Sequence, residues 1–79
     1  MSKKLTGNMK QKVDLLDVVA LMQELPDRDL FLGQVGTVVE SLAPDVYEIE
    51  FTDNDGRAFA ELALRADQLL VLHYEPVMA

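Results

Sequence analysis

The sequence contains no cysteine, and its single histidine is His73. Without cysteine the chain can form neither a disulfide framework nor a thiolate zinc site, and one histidine does not supply a transition-metal site. The fold must therefore rest on its apolar core alone. We expect no metal and no cofactor, and the lack of cysteine suits a cytoplasmic, reducing location.

Long apolar runs are also lacking. The longest unbroken apolar run is residues 18–22, whereas a membrane-spanning helix needs about 20 residues. Lys3 and Lys4 are not followed by the apolar stretch of a secretory signal. With 79 residues the chain has room for one core. The sequence predicts one domain without membrane association.

Positive charge is scarce and unevenly placed. Seven Lys and Arg residues stand against 14 Asp and Glu residues, which gives a formal net charge of −7. We expect residues 1–12 to be a basic, at least partly disordered tail, followed by a folded, acidic domain over residues 13–79. That domain would repel nucleic acid and anionic lipid and attract basic surfaces, although the charge also serves solubility alone. The tail contains four lysines and no acid: Lys3, Lys4, Lys10 and Lys12.

Alternating apolar and polar residues predict strands through most of the domain, most clearly over residues 46–51. Residues 13–25 are ambiguous, because their apolar spacing also suits an amphipathic helix. Between residues 26 and 34 we expect a loop in which Leu30, Phe31 and Leu32 fold back and cap the core. The predicted strands are residues 18–24, 37–42, 46–51, 57–65 and 69–74, with a 3-10 turn at Ala66–Gln68.

The connections between these strands are too short for crossover helices, so all neighbours can be antiparallel. The Asp-Gly pair in residues 53–56 is typical of a hairpin turn, with Gly56 at positive φ. A small antiparallel sheet protects its edges best by closing on itself. We therefore predict an all-β fold, a small five-stranded antiparallel SH3-like barrel, with residues 18–24 as its first strand.

Several segments occur together in one known family. They are Leu16-Asp17-Val18-Val19-Ala20-Leu21, Leu25-Pro26, Gly33-Gln34-Val35-Gly36-Thr37-Val38-Val39-Glu40, Tyr47-Glu48-Ile49-Glu50-Phe51, Asp55-Gly56-Arg57 and Ala66-Asp67-Gln68-Leu69-Leu70-Val71-Leu72. With these the chain resembles the bacterial domain-of-unknown-function family numbered 4926. The resemblance implies a small bacterial SH3-like domain and supplies no catalytic residue. It also suggests an antitoxin-like or immunity-like partner of a neighbouring gene product.

Residues 33–40 are also similar to the glycine-turn-strand element of KOW-type domains, which often bind RNA. The basic and exposed aromatic surface that such binding requires is missing from the predicted domain. A KOW-like nucleic-acid-binding barrel that uses the basic tail is therefore the alternative interpretation.

No catalytic constellation is recognisable. Asp53-Asn54-Asp55-Gly56 fails as a calcium loop, because Phe51 and Leu62 occupy the first and last ligand positions. Nothing in the sequence places Ser41 beside His73 as a nucleophile and its base. We expect the protein not to be an enzyme.

The remaining candidates are surfaces for a partner. Glu48 and Glu50 share one strand face, and Glu61 can face one of them from the next strand. With Leu30 and Phe31 of the loop, they are the candidate partner-binding residues. The sequence favours a protein-interaction module with a basic partner, and leaves open an accessory subunit of an enzyme and a homo-oligomer formed through apolar residues such as Phe59.

Overall fold

The computed structural model describes residues 12–73, which form one antiparallel sheet with the strand order β4-β3-β2-β1-β5. A 3-10 turn at Pro26–Arg28 lies between β1 and β2, and a second one at Ala66–Gln68 precedes β5. The described residues include no helix long and apolar enough to cross a membrane. The strands are β1 (Val18–Leu21), β2 (Val35–Ala43), β3 (Val46–Thr52), β4 (Ala58–Arg65) and β5 (Leu69–Val71).

This architecture confirms the all-β, five-stranded prediction and resolves the ambiguity of residues 13–25 in favour of a strand. Burial alternates along β1, with Val19 and Leu21 fully inside. Leu15 and Met22, which a helix would place on the same apolar face, are both exposed. The Val18-Val19 pair suits the strand because β-branched side chains pack well on a pleated surface.

Three strands are shorter than predicted, although β4 lacks only its first predicted residue, Arg57. β1 ends at Leu21 rather than at residue 24, because its neighbour β5 begins only at Leu69, after the 3-10 turn. β5 ends at Val71, and the last residue predicted for it, Tyr74, lies outside the described residues. The predicted tail also lies outside them, apart from Lys12.

The core lies on one side of the sheet, where alternate residues of the strands meet. Val19 and Leu21 of β1 pack with Val38 of β2 and with residues of the other strands. Because side chains alternate across a strand, the residues between them face outward. The buried set is Val13, Val19, Leu21, Leu30, Val38, Ile49, Phe51, Leu64 and Leu69.

The loop between β1 and β2 divides its apolar residues between core and solvent. Leu25 and Leu30 form an isolated bridge, in which the Leu25 N–H donates to Leu30 O and the Leu30 N–H donates to Leu25 O, with N to O distances of 2.9 and 3.2 Å. This bridge brings Leu30 into the core. The chain then turns again, with the Gln34 N–H donating to Phe31 O over 2.9 Å and with Gly33 at φ +88°. Leu30 caps the core as predicted, whereas Phe31 and Leu32 are exposed.

Gly36 allows β2 to approach β3 closely. Its register partner is Phe51, and a Cβ on Gly36 would lie 2.8 Å from Ile49 Cγ2 and 2.9 Å from Phe51 Cδ1. It would also lie 2.9 Å from the backbone oxygen of Glu50, which cannot move aside without shifting β3. Only glycine fits this position without displacing the strand.

The turn between β3 and β4 is organised by Asp53. Its Oδ1 accepts hydrogen bonds from the backbone N–H groups of Asp55 and Arg57, each over 2.9 Å. The Gly56 N–H donates to Asp53 O over 3.0 Å, and Gly56 has φ +81°. The carboxylate that resembled a calcium ligand in the sequence thus satisfies the backbone of its own turn.

We expect Gly36→Ala to destabilise the fold by about 1–3 kcal/mol, because the added methyl group overpacks a close strand contact. The free energy of unfolding in urea measures this. Ser41→Ala, at an exposed position of the same strand, is the control and should change it by less than about 0.5 kcal/mol. Equal unfolding midpoints for Gly36→Ala and the wild type would contradict the close approach.

We expect Asp53→Ala to destabilise the hairpin by about 1–2 kcal/mol, because two backbone N–H groups lose their acceptor. Asp53→Asn keeps an acceptor oxygen at the same position and should lose less than half as much. Thermal unfolding of the two variants measures the difference. Equal losses in both would show that the charge, rather than the hydrogen-bond geometry, organises the turn.

Candidate interaction surface

The outward face of β3 and β4 brings the three predicted glutamates together. Tyr47, Ile49 and Phe51 face the core side, so Glu48 and Glu50 face outward. Glu50 is the direct register partner of Glu61. Directly opposed residues have Cβ atoms about 4.5–5.5 Å apart, so these two carboxylates are close neighbours.

A fourth glutamate, Glu40, joins them because of an irregularity in β2. The register passes from Val38↔Ile49 to Glu40↔Glu48, so Val39 is an extra residue without a partner on β3. This β-bulge brings Glu40 opposite Glu48, where a regular ladder would bring Val39. The sequence prediction missed Glu40 because counting alternate residues does not reveal a bulge. We call the four residues Glu40, Glu48, Glu50 and Glu61 the glutamate face.

No glutamate of this face forms an ion pair within the described residues, although Arg65 lies on the same face of β4, diagonal to Glu48. The ion pair that the structure gives in residues 12–73 lies elsewhere, between Arg65 Nε and Asp67 Oδ1 at 3.0 Å. Glutamates opposed in register repel each other, although in water two unit charges 4 Å apart interact by only about 1 kcal/mol. The face therefore lowers the stability of the monomer slightly and presents net negative charge to solvent.

An exposed apolar surface lies on the same side of the sheet. Val35 of β2 and Leu70 of β5 are both register partners of Ala20, one on each side, and each is 48% exposed. Thr37, two residues after Val35 on the same strand face, is the partner of Glu50. The outward surface thus passes from acidic to apolar within a few residues.

Further exposed apolar side chains lie at the same end of the sheet. Met22 directly follows β1, and its N–H donates to Gln68 O just before β5. Phe31 and Leu32 belong to the turn that leads into β2. We call this set the apolar end: Met22, Phe31, Leu32, Val35 and Leu70, all of them large and exposed.

Two residues that the sequence associated with partner contacts have different environments. Leu30 is fully buried, so it belongs to the core and is not available to a partner. Phe31 is 61% exposed and is available. They differ because the Leu25↔Leu30 bridge turns the first side chain inward and the following turn directs the second outward.

The residues considered for chemistry are spread over the sheet. Ser41 lies in β2, where it pairs with Tyr47 of β3, whereas His73 follows β5. In the sheet, β1 lies between β2 and β5. The structure therefore does not place Ser41 beside His73. Within residues 12–73, no three His, Asp or Glu side chains are grouped so that they could hold a metal ion.

Comparison with known proteins agrees with the strand pattern. The profile of the family described as domain of unknown function (DUF4926) matches residues 15–71. The chain belongs to this family. The match spans all five strands of this DUF4926 domain. Searches of curated proteins and of solved structures found no significant match.

We expect Glu61→Lys to stabilise the DUF4926 domain by about 0.5 kcal/mol, because it replaces a like-charged cross-strand pair with Glu50 by an opposite one. Urea unfolding at low and high salt measures the change, which should shrink at high salt. Glu24→Lys makes the same change of net charge at an exposed site outside the strands. Equal stabilisation by both variants would mean that net charge, rather than the Glu50–Glu61 pair, is responsible.

Proposed function

We propose that this DUF4926 domain is a non-enzymatic protein-interaction module whose outward sheet face binds a partner protein with a basic surface. The observation that carries the proposal is the register that aligns Glu40 with Glu48 and Glu50 with Glu61 on one face. Four glutamates that form no ion pair among the described residues produce a local negative field. Such a field speeds the encounter with a positive surface and suppresses acidic partners.

The apolar end can supply binding energy that charge alone does not. Rim charges mainly set association rate and selectivity, whereas buried apolar and aromatic anchors provide most of the binding energy. Phe31, Val35 and Leu70 are exposed on or beside the same face. A partner that places basic side chains on the glutamates and apolar ones on this end would use both.

The proposal covers two of the roles suggested by the sequence. An antitoxin-like or immunity-like protein and an accessory subunit of an enzyme both act by occupying a partner. Nucleic acid fits this surface poorly, because residues 12–73 carry four basic side chains against thirteen acidic ones. The KOW-like alternative depends on the tail lysines, of which only Lys12 belongs to the described residues, and no observation of this surface favours it.

The test compares two triple variants with equal changes of charge. One reverses the glutamate face with Glu48→Lys, Glu50→Lys and Glu61→Lys. The control reverses three exposed acids outside the strands, Glu24→Lys, Asp27→Lys and Asp55→Lys. A partner captured from the host at about 50 mM salt, where charge contacts are weakly screened, is identified, purified and titrated against all three proteins.

We expect the glutamate-face variant to bind this partner about tenfold or more weakly and the control variant to bind within about threefold of the wild type. We also expect the affinity of the wild type to fall as salt increases. Equal weakening by both variants would show that the partner responds to the net charge of the protein and not to the glutamate face. A partner whose affinity neither variant changes would show that it does not bind at this face.

A further inference from the structure

The edge of the sheet formed by β4 offers backbone groups for pairing. β4 is the terminal strand next to β3, and the Ala66 N–H donates to Asp45 O over 2.9 Å. In an antiparallel pair, hydrogen-bonded and non-hydrogen-bonded positions alternate. Leu64 and Leu62 therefore exchange bonds with β3, whereas the N–H and C=O groups of Ala63 and Glu61 point away from it.

Two other bonds agree with this alternation. The Arg65 N–H, which is in phase with Ala63, donates to the Gln68 side-chain oxygen over 2.8 Å and not to β3. Because the backbone groups of Ile49 point toward Leu62 of β4, those of its partner Val38 in β2 must point away from β3 and toward β1. The Val38 N–H indeed donates to Asp17 O, just before β1, over 2.9 Å. The phase assigned to β4 thus fits the neighbouring strands.

The available stretch of this edge is short and has clear limits. At one end, the Arg65 N–H already donates to the side-chain oxygen of Gln68 and is not available to another strand. At the other end the register shifts between Phe51↔Ala60 and Thr52↔Ala58, so Phe59 is a bulge residue. Between these limits, Glu61 and Ala63 each keep a donor and an acceptor that no bond within the described residues uses.

β4 also lacks part of the usual protection of an edge strand. Sheet edges are commonly guarded by proline, by lysine or by an inward-pointing charge. β4 contains neither proline nor lysine, and its inward residues Ala60, Leu62 and Leu64 are apolar. Its bulge lies at Phe59 and leaves the Glu61–Ala63 stretch regular.

We propose that two copies of this chain pair antiparallel through their β4 edges, with the two-fold axis at Leu62. In this register Glu61 of each copy exchanges two backbone hydrogen bonds with Ala63 of the partner subunit. All four bonds use groups that are unbonded within the described residues, so Gln68 keeps its bond to Arg65. The occupant of the edge is thus a second copy, because the pattern of donors and acceptors is complementary to itself.

The neighbouring symmetric registers are less favourable. An axis at Glu61 places the two Glu61 side chains directly opposite each other, and like charges in that position are destabilising. An axis at Ala63 requires the backbone of Arg65, whose N–H is already taken. The axis at Leu62 instead places Glu61 directly opposite an alanine. The diagonal neighbours of Glu61 are then Glu61 and Arg65 of the partner subunit, so one like charge at the longer diagonal distance is offset by one opposite charge within reach of a long side chain.

An exposed aromatic ring lies just beyond the paired stretch. Phe59 is 47% exposed, and continuing the register past its bulge brings it near Arg65 of the partner subunit, a neighbour that suits a cation–π contact. Each chain has a formal net charge of −7, so the two copies repel each other at long range. Salt screens that repulsion, and the dimer therefore strengthens as salt increases, in contrast to the binding of a basic partner.

The oligomeric state is measured by sedimentation equilibrium from micromolar to about millimolar concentration, at low and at about 0.5 M salt, where the Debye length is only a few ångströms. Wild type is compared with Ala63→Pro and Ala63→Val. Proline removes an N–H that points away from β3 and is tolerated on a strand edge. Valine adds bulk but keeps the N–H. We expect proline to weaken the dimer about tenfold or more and valine to retain it.

Amide hydrogen exchange supplies a second readout that requires no variant. The amides of Leu62 and Leu64 should be protected at every concentration, because they bond to β3. The amides of Glu61 and Ala63 should become protected only as the protein is concentrated. A chain that stays monomeric at about millimolar concentration, where weak association is populated, would overturn the proposal. So would a dimer that Ala63→Pro and Ala63→Val weaken equally, or a dimer in which the amides of Glu61 and Ala63 exchange as fast as in dilute solution.

Discussion

The close contact between β2 and β3 is the constraint on which the rest of this domain depends. β2 is the central strand of the sheet and pairs with β1 along its first half and with β3 along nearly all of its length. Gly36, which pairs with both strands, has no room for a Cβ beside Ile49 and Phe51. Because side chains alternate along a strand, the register set here decides which residues form the core and which form the outward face.

That register has its main functional consequence at the bulge. Without the extra residue Val39, Glu40 would not stand opposite Glu48, and the acidic surface would consist of the residues on β3 and β4 alone. Bulges bend the strand and redirect side chains, and they are found beside functional sites more often than chance predicts. One irregularity in β2 thus extends an acidic surface from two strands to three.

The sequence was sufficient for those parts of the fold that depend on local patterns. The alternation along β3, the Asp-Gly turn and the 3-10 turn at Ala66–Gln68 could be read directly, since each involves residues near one another in the chain. The separation of Leu30 from Phe31 could not, because it depends on the bridge between Leu25 and Leu30. Both side chains are apolar, and composition does not distinguish the one that turns inward.

Glu40 and the edge of β4 escaped prediction for a related reason. Both depend on how two strands are aligned, and a one-residue shift in alignment leaves the composition and length of each strand unchanged. Membership of the DUF4926 family does not supply this information, since the family description gives no activity or site. The strand pattern therefore predicts the fold, whereas the candidate surface appears only once the strands are paired.

The glutamate face and the β4 edge meet at Glu61. Its side chain lies on the outward face with that of Glu50, its register partner, whereas its N–H and C=O groups lie in the plane of the sheet. Pairing two β4 edges would therefore leave Glu40, Glu48 and Glu50 of both copies open and bring only Glu61 within reach of Arg65 of the partner subunit. It would align the two glutamate faces on one continuous sheet, because opposed residues of antiparallel strands share a face. Two linked sites bind a partner that has two basic surfaces more tightly than either site alone, because the second site is present at a high effective concentration. Dimerisation would thus increase the avidity of a weak acidic surface without any new contact to the partner.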